Sequence, residues 1–245
     1  MEEEGIRLNK YLAESGIASR RSADRLVEDG HVTLNGKAAR LGDRVFSTDE
    51  VRVDGQIVRR DTDTVILVFN KPRGLVCTAD SGEDDSVISF INYPRRIFTV
   101  GRLDKDSEGL ILLTNDGDLA NKIMRSRYGH EKEYVVVVDH EVTGDFVKAM
   151  TSGVKLDDGV VTRRCQVTVD DPRTLRIVLK QGLNRQIRRM CEQCGYKVSQ
   201  LIRVRVMNIK LGDLKPGKYR DISRYEREEL LSTLQASVMA DKDSN

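Results

Sequence analysis

The residues best able to do chemistry in this chain lie in one stretch, Gly101-Arg102-Leu103-Asp104-Lys105-Asp106-Ser107-Glu108-Gly109-Leu110. A loop carboxylate can act as a nucleophile or as a base. A guanidinium within about 4–6 Å holds such a group in its charged form. Arg102 lies two residues before Asp104, so in an extended loop both side chains point to one side. Taken bare, an Arg-x-Asp triplet reads as a solvated ion pair. Its neighbours supply a scaffold. Leu110-Ile111-Leu112-Leu113 is an apolar run of strand length, bounded by Gly109 and by the turn signal Asn115-Asp116-Gly117. Asn115 or Asp116 can cap the next helix, whose Leu119 and Ile123 share a face. Loops held on rigid elements are where catalytic residues tend to lie.

Other segments must position or complement that loop. Val65 to Phe69 reads as a buried strand that stops at Pro72, within Asn70-Lys71-Pro72-Arg73-Gly74, because proline cannot continue a central strand. Tyr134 stands at the entry of the strand Val135 to Val138, where packing on a core is the commoner use of such a tyrosine. Asn184 can cap a helix in which Ile187, Met190, Cys191 and Cys194 share one face. Arg185, Arg188 and Arg189 fall opposite, giving an amphipathic helix with a basic side that Gly195 ends. Leu201 to Val206 alternates as a strand whose basic residues, Arg203 among them, form its outer face. Glu226 to Ala236 reads as a terminal helix.

The first sixty residues have a different texture. Leu8, Tyr11 and Leu12 mark the buried face of a short helix, and Ser19 caps a second one that buries Ala23, Leu26 and Val27. Val32-Thr33-Leu34 with Asn35-Gly36, then Val51-Arg52-Val53 with Asp54-Gly55, read as strands with tight turns. Residues 59–64 are short, charged and aperiodic, and read as a linker. Net charge is only +2, so any basic surface must come from local clustering. No apolar run is long enough to span a bilayer, and Met1-Glu2-Glu3-Glu4 is unlike the basic start of a signal peptide, so a cytoplasmic, membrane-free protein is expected. The four cysteines are too few for a disulfide framework, and Cys191-x-x-Cys194 reads as core packing rather than a zinc or redox site.

The block Gly-Arg-Leu-Asp-x-x-Ser-x-Gly-Leu-x-x-Leu-Thr-x-Asp-Gly-x-Leu from Gly101 to Leu119 resembles the aspartate motif of the pseudouridine synthases. The branch it resembles modifies ribosomal RNA and carries a small RNA-binding domain in front. Asn-Lys-Pro-x-Gly at Asn70, Lys-x-Tyr at Lys132 and Gly-x-Asn-Arg-Gln-Ile-Arg-Arg-Met at Gly182 are similar to that family's other motifs, in the same order. The two front helices resemble the S-four-like (alpha-L) RNA-binding domain. The architecture implied is α+β: an N-terminal α/β RNA-binding domain over 1–60, and a catalytic domain over 65–240. The latter is built on a mixed, mainly antiparallel sheet with flanking helices.

The resemblance assigns roles. Asp104 is the essential catalytic residue, Tyr134 stacks on the target uracil, and Arg188 pairs with Asp104. Arg102 serves RNA binding or base extrusion. Lys71, Arg185, Arg189 and Arg203 are expected to bind substrate, as are Arg7, Lys10, Arg20, Arg21 and Arg25 in the front helices, through phosphates rather than base edges. Isomerising uridine neither oxidises nor transfers a group to another molecule, so no metal or cofactor is expected. The implied partner is large-subunit ribosomal RNA, with a tyrosine tRNA anticodon loop as a second candidate, and the protein is expected to act as a monomer. The chain lacks the long Lys/Arg-rich tail of some members, which bears on substrate affinity. Three alternatives stand beside this reading: a small-subunit rRNA enzyme, a non-catalytic RNA-binding ribosome-assembly factor, and a glycoside hydrolase using Asp106 or Glu108 as a second carboxylate.

Overall fold

Residues 4–78 and 84–242 are described by the computed structural model, in which the chain divides into two units. One is Met1–Val65 with Tyr93–Ile97, the other Ile66–Asn92 with Phe98–Asn245. The first opens with β1 (Ile6–Arg7), α1 (Leu8–Glu14) and α2 (Arg20–Glu28). It continues with β2 (Val32–Leu34), β3 (Lys37–Ala38), β4 (Arg44–Val45), β5 (Val51–Val53) and β6 (Gln56–Val58). Ser19 caps α2 by accepting the Ser22 N–H at 3.1 Å. Leu8, Leu12, Ala23 and Val27 join Val32, Val45, Val51 and Val58 in a separate small core. Asn35-Gly36 and Asp54-Gly55 have positive φ at both positions, the type I′ geometry that suits two-residue hairpins. Tyr93–Ile97 groups with this unit, a segment no linear boundary would include; Arg95 donates to the Asp61 carboxylate and to the Asp63 carbonyl.

The second unit contains β7 (Ile66–Lys71), α3 (Val87–Ile91), β8 (Phe98–Val100), β9 (Glu108–Thr114), α4 (Gly117–Met124) and β10 (Lys132–Val138). After these come α5 (Gly144–Ser152), β11 (Gln166–Asp171), β12 (Thr174–Leu179), α6 (Gln186–Gln193), β13 (Val198–Val206), β14 (Ile209–Lys210), β15 (Tyr219–Asp221) and α7 (Arg224–Lys242). Nine strands form one mixed sheet ordered β11-β12-β10-β13-β9-β7-β15, with β14 on β13 and β8 on β9. Asp116 caps α4 by accepting the Asp118 and Leu119 N–H groups at 2.9 and 3.0 Å. Among the described residues no helix is long and apolar enough to cross a membrane.

Every pairing in that sheet is antiparallel except one. β13 meets β9 in parallel over two residue pairs, Ile202 with Glu108 and Arg203 with Gly109. The two halves bury separate cores. β10, β12 and β13 pack with α5 and α6 around Met150, Leu175, Ile177 and Met190. β7 and β9 pack with α4 and α7 around Val68, Leu110, Leu112, Ile123 and Leu230. The two half-sheets therefore meet at a seam whose closest point is Gly109. Its φ is +101°, and a Cβ there would lie 2.3 Å from the Arg203 carbonyl oxygen and 2.7 Å from the Arg203 nitrogen. Neither atom can retreat, because both belong to the facing strand. Gly109→Ala should therefore destabilise the fold by at least about 2 kcal/mol in urea titration. Gly144→Ala should be neutral, since a Cβ there meets nothing within 4 Å.

Candidate active site

Asp104 sits in the loop between β8 and β9, directly ahead of the seam. Its carbonyl accepts the Ser107 N–H at 3.0 Å, closing a tight turn. Lys71, the last residue of β7, lies wholly buried beneath that turn. Its ammonium donates to the carbonyls of Ser107 at 2.8 Å, Pro72 at 3.1 Å and Lys105 at 3.4 Å. The Gly74 N–H donates to Lys105 O at 2.8 Å, and the Leu103 N–H to Cys77 Sγ at 3.4 Å. Burial pushes the Lys71 pKa below the usual lysine value, while Cys77, Asp106, Asp104 and Glu108 oppose that shift. The expectation that Lys71 binds substrate is thereby corrected. Its charge faces the loop backbone from below, with none of its surface exposed.

A cavity of about 360 Å³ opens beside the loop. Asp104, Tyr134 and Arg102 line it, as do Arg125, Lys132, Lys180, Arg185 and Arg203. A smaller cavity of about 90 Å³ joins Asp104 and Ser107 to Tyr134, Leu183 and Ile187. Asp104 is the one acid among the lining residues of either. Its side chain is 30% exposed, within reach of a ligand.

The arginines are sorted differently from the expected pattern. Arg185, the N-cap of α6, holds a left-handed backbone at φ 46° and turns its Nη1 to 3.8 Å from Asp104 and 3.4 Å from Asp106. Asn184 therefore does not cap the helix, which has no side-chain cap bond. Arg188 does not pair with Asp104. Its Nη2 lies 3.3 Å from the Asp106 carboxylate and donates to Asp106 O at 3.2 Å, while Nη1 donates to Val198 O at 3.2 Å. Arg188 is buried, so the basic side of α6 is in part an interior face.

Arg203 is also buried rather than on an outer face, with Nε donating to Leu110 O at 2.7 Å. Substrate has little of it to bind. Arg189 is held by Asp157 and Asp158, and only 16% of its side chain is exposed. In the front unit Arg7, Arg20, Arg21 and Arg25 are exposed, whereas Lys10 pairs with Glu14 at 3.6 Å. Cys191 is fully buried in the core beside α6, with its thiol pushed up to about 12 by burial, and all four cysteines are free. Among the described residues no group of three acids, histidines or cysteines could hold a metal ion.

A family model described as RNA pseudouridylate synthase matches residues 65–193, and one for the S4 domain matches residues 6–51. The dual-specificity RNA pseudouridine synthase RluF of Escherichia coli strain K12 is 50% identical over 95% of this chain and 80% of its own length. The chain belongs to the RNA pseudouridine synthase family. It is an isomerase with an S4 RNA-binding domain ahead of a mainly antiparallel synthase domain. Ribosomal large subunit pseudouridine synthase B of Bacillus subtilis is 35% identical over 91% of this chain and 95% of its own. A crystal structure of a pseudouridylate synthase superposes with a TM-score of 0.68 at 27% identity, covering 92% of this chain and 99% of that one.

Two residues of this synthase lie in the family motifs but carried no role in the sequence analysis. Ser107 is buried within the Asp104 loop with its hydroxyl unpaired among the described residues. Lys132 lines the cavity two residues from Tyr134, a spacing that could have placed both on one strand face. Removing the Lys71 ammonium tests its positioning role. Lys71→Met removes the ammonium from three loop carbonyls, of which Lys105 O keeps the Gly74 N–H, and should destabilise the protein by roughly 2–4 kcal/mol. Turnover should fall at least about tenfold while RNA affinity, measured by filter binding, stays within about twofold.

Proposed function

We propose that this synthase isomerises a uridine of large-subunit ribosomal RNA, with Asp104 as its catalytic carboxylate. One observation carries the assignment of the site: among the described residues Asp104 is the single acid lining a cavity that it shares with Tyr134, several cations and apolar residues. A glycoside hydrolase needs two facing carboxylates, and Asp106 is instead bound by Arg185 and Arg188 while Glu108 is bound by Arg73. The large-subunit target is supported by the Bacillus relative, a ribosomal large subunit pseudouridine synthase. A second target class is supported by the dual specificity in the name of the Escherichia relative.

The reaction breaks the N1–C1′ bond and forms C5–C1′; the C5 proton leaves and N1 gains one. Asp104 acts at the sugar, as nucleophile or as base. Arg185, whose Nη1 lies 3.8 Å from its carboxylate, orients it. Tyr134 covers the uracil ring. Arg102 is exposed at the cavity mouth, placed to fill the stack that the target base vacates. Flipping costs a few kcal/mol, least from an unpaired loop, and phosphate contacts offset it. In the front unit Arg20, Arg21 and Arg25 carry no ion pair among the described residues and are free to meet phosphates.

Asp104→Asn should bind RNA as the wild type does and form no pseudouridine in unmodified large-subunit rRNA. Turnover above about one-thousandth of wild type would remove the carboxylate from the mechanism. Replacing Arg20, Arg21 and Arg25 by Ala should weaken binding and flatten its salt dependence by about one unit of slope per lost phosphate contact. The rate at saturating RNA should hold. Pseudouridine mapping of cellular RNA with and without this chain identifies the target; a site lost only from small-subunit rRNA would overturn the large-subunit assignment.

A further inference from the structure

Lys132 lines the active cavity with no counter-ion among the described residues. It is the first residue of β10, paired with Leu179 of β12 and Val206 of β13. Alternation along the strand sends Lys132 and Tyr134 to the cavity side and Glu133 to the other. The nearby acids are already engaged. Glu133 binds Arg205 at 2.7 Å and Arg176 at 2.9 Å. Glu131 binds Arg205 at 3.1 Å and Lys180 at 3.6 Å. Asp104 has Arg185 as its ion-pair partner at 3.8 Å. Among the described residues Lys132 has no hydrogen-bond partner, and it is half-buried. Burial, then the like charge of Arg203, hold its pKa below the ordinary lysine value.

A half-buried ammonium beside a guanidinium, without an acceptor, is unfavourable in the empty protein. A lysine used only for packing would extend its ammonium to bulk water. This one lines the same cavity as Asp104 and Tyr134, where a nucleotide would bring anionic oxygen.

We propose that Lys132 is a substrate-binding residue whose ammonium takes a negatively charged oxygen of the target nucleotide. This rests on the cavity being the active site, as read above. Two oxygens share the required chemistry. One belongs to a phosphodiester. The other is a uracil carbonyl, which gains negative charge when the N1–C1′ electron pair stays with the departing ring.

The test uses the full chain, unmodified large-subunit rRNA made in vitro with tritium at C5 of uridine, and single-turnover tritium release. Lys132→Met should keep the wild-type unfolding temperature or exceed it, because an unpaired buried charge is removed. If the contact is a phosphate, Lys132→Met weakens binding several-fold and reduces the salt slope by about 0.7 with the saturating rate unchanged. If it is a uracil carbonyl, the saturating rate falls at least tenfold and the slope stays. In either case Lys132→Arg restores part of the loss. Wild-type affinity, slope and rate in Lys132→Met overturn the proposal. So does a loss accompanied by a lowered unfolding temperature that Lys132→Arg does not repair. Asp104→Asn in the same assay separates the two claims. An active Asp104→Asn sinks the active-site reading itself, whereas an inactive one beside a wild-type Lys132→Met sinks only the role of Lys132.

Discussion

A two-residue parallel pairing joins the halves of the catalytic sheet, and the geometry of the site depends on it. Asp104 comes from the β8–β9 loop of one half. Tyr134 and Arg185 come from the other half. Each half has its own apolar core, and Val206 of β13 and Ile209 of β14 also pack into the core of the β7–β9 half. Polar bonds cross the seam as well. The Arg203 guanidinium donates to Leu110 O at 2.7 Å, Arg73 binds Glu108 and donates to Ser199 O at 3.0 Å, and Gln200 donates to Glu108 at 3.4 Å. Such bonds are directional, and buried ones are costly to leave unmade, so they fix register more sharply than area can. Gly109 lets the strands approach closely enough to make them.

The same logic explains why so many cations near the site are unavailable to RNA. Lys71, Arg188 and Arg203 are buried and point at backbone carbonyls of the catalytic loop or the strand ends beside it. Carbonyl oxygens in loops lack the ladder partners that strands provide, and a buried amide dipole needs a donor. A lysine or arginine supplies several donors from one side chain. These three thus shape the loop that presents Asp104. The cations that remain on the cavity wall are Arg102, Arg125, Lys132, Lys180 and Arg185.

Much of this was legible in the sequence, and the failures have a common cause. The strand after Gly109, the Asp116 cap, the Ser19 cap and the two Asn/Asp-Gly hairpins follow from local rules that act within a few residues. The family motifs placed Asp104, Tyr134 and the α6 arginines near one another in expectation, and the fold brings Asp104, Tyr134 and Arg185 to one cavity. What local patterning did not give was the partners of the α6 arginines: Arg188 was expected to pair with Asp104 and meets Asp106 instead. Helical periodicity reports one element's own faces. It cannot report that the loop carrying Asp106 covers the side bearing Arg188, or that Asp157 and Asp158 reach Arg189. Arg185 escaped the cap rules because a left-handed backbone at a non-glycine residue is set by tertiary contacts.

The near-neutral charge of the chain, formally +2, is compatible with a binding cavity that is strongly positive. Away from the cavity many charges are paired, although Arg20, Arg21 and Arg25 of the front unit are exposed with no ion pair among the described residues. Arg205 and Arg176 are tied to Glu131, Glu133 and Asp170, and Arg220 is held by Glu226 at 2.8 Å. Glu226 is in turn lowered to about 2, first by the Arg220 hydrogen bond. Paired charges create little field beyond about a Debye length, roughly 8 Å at physiological salt. The cavity has Asp104 set against several cations, so the uncompensated potential is concentrated where a flipped nucleotide must enter. A uniformly basic surface would hold any RNA stretch about equally well. A local one favours a conformation that delivers a phosphate and an extruded base to the same place.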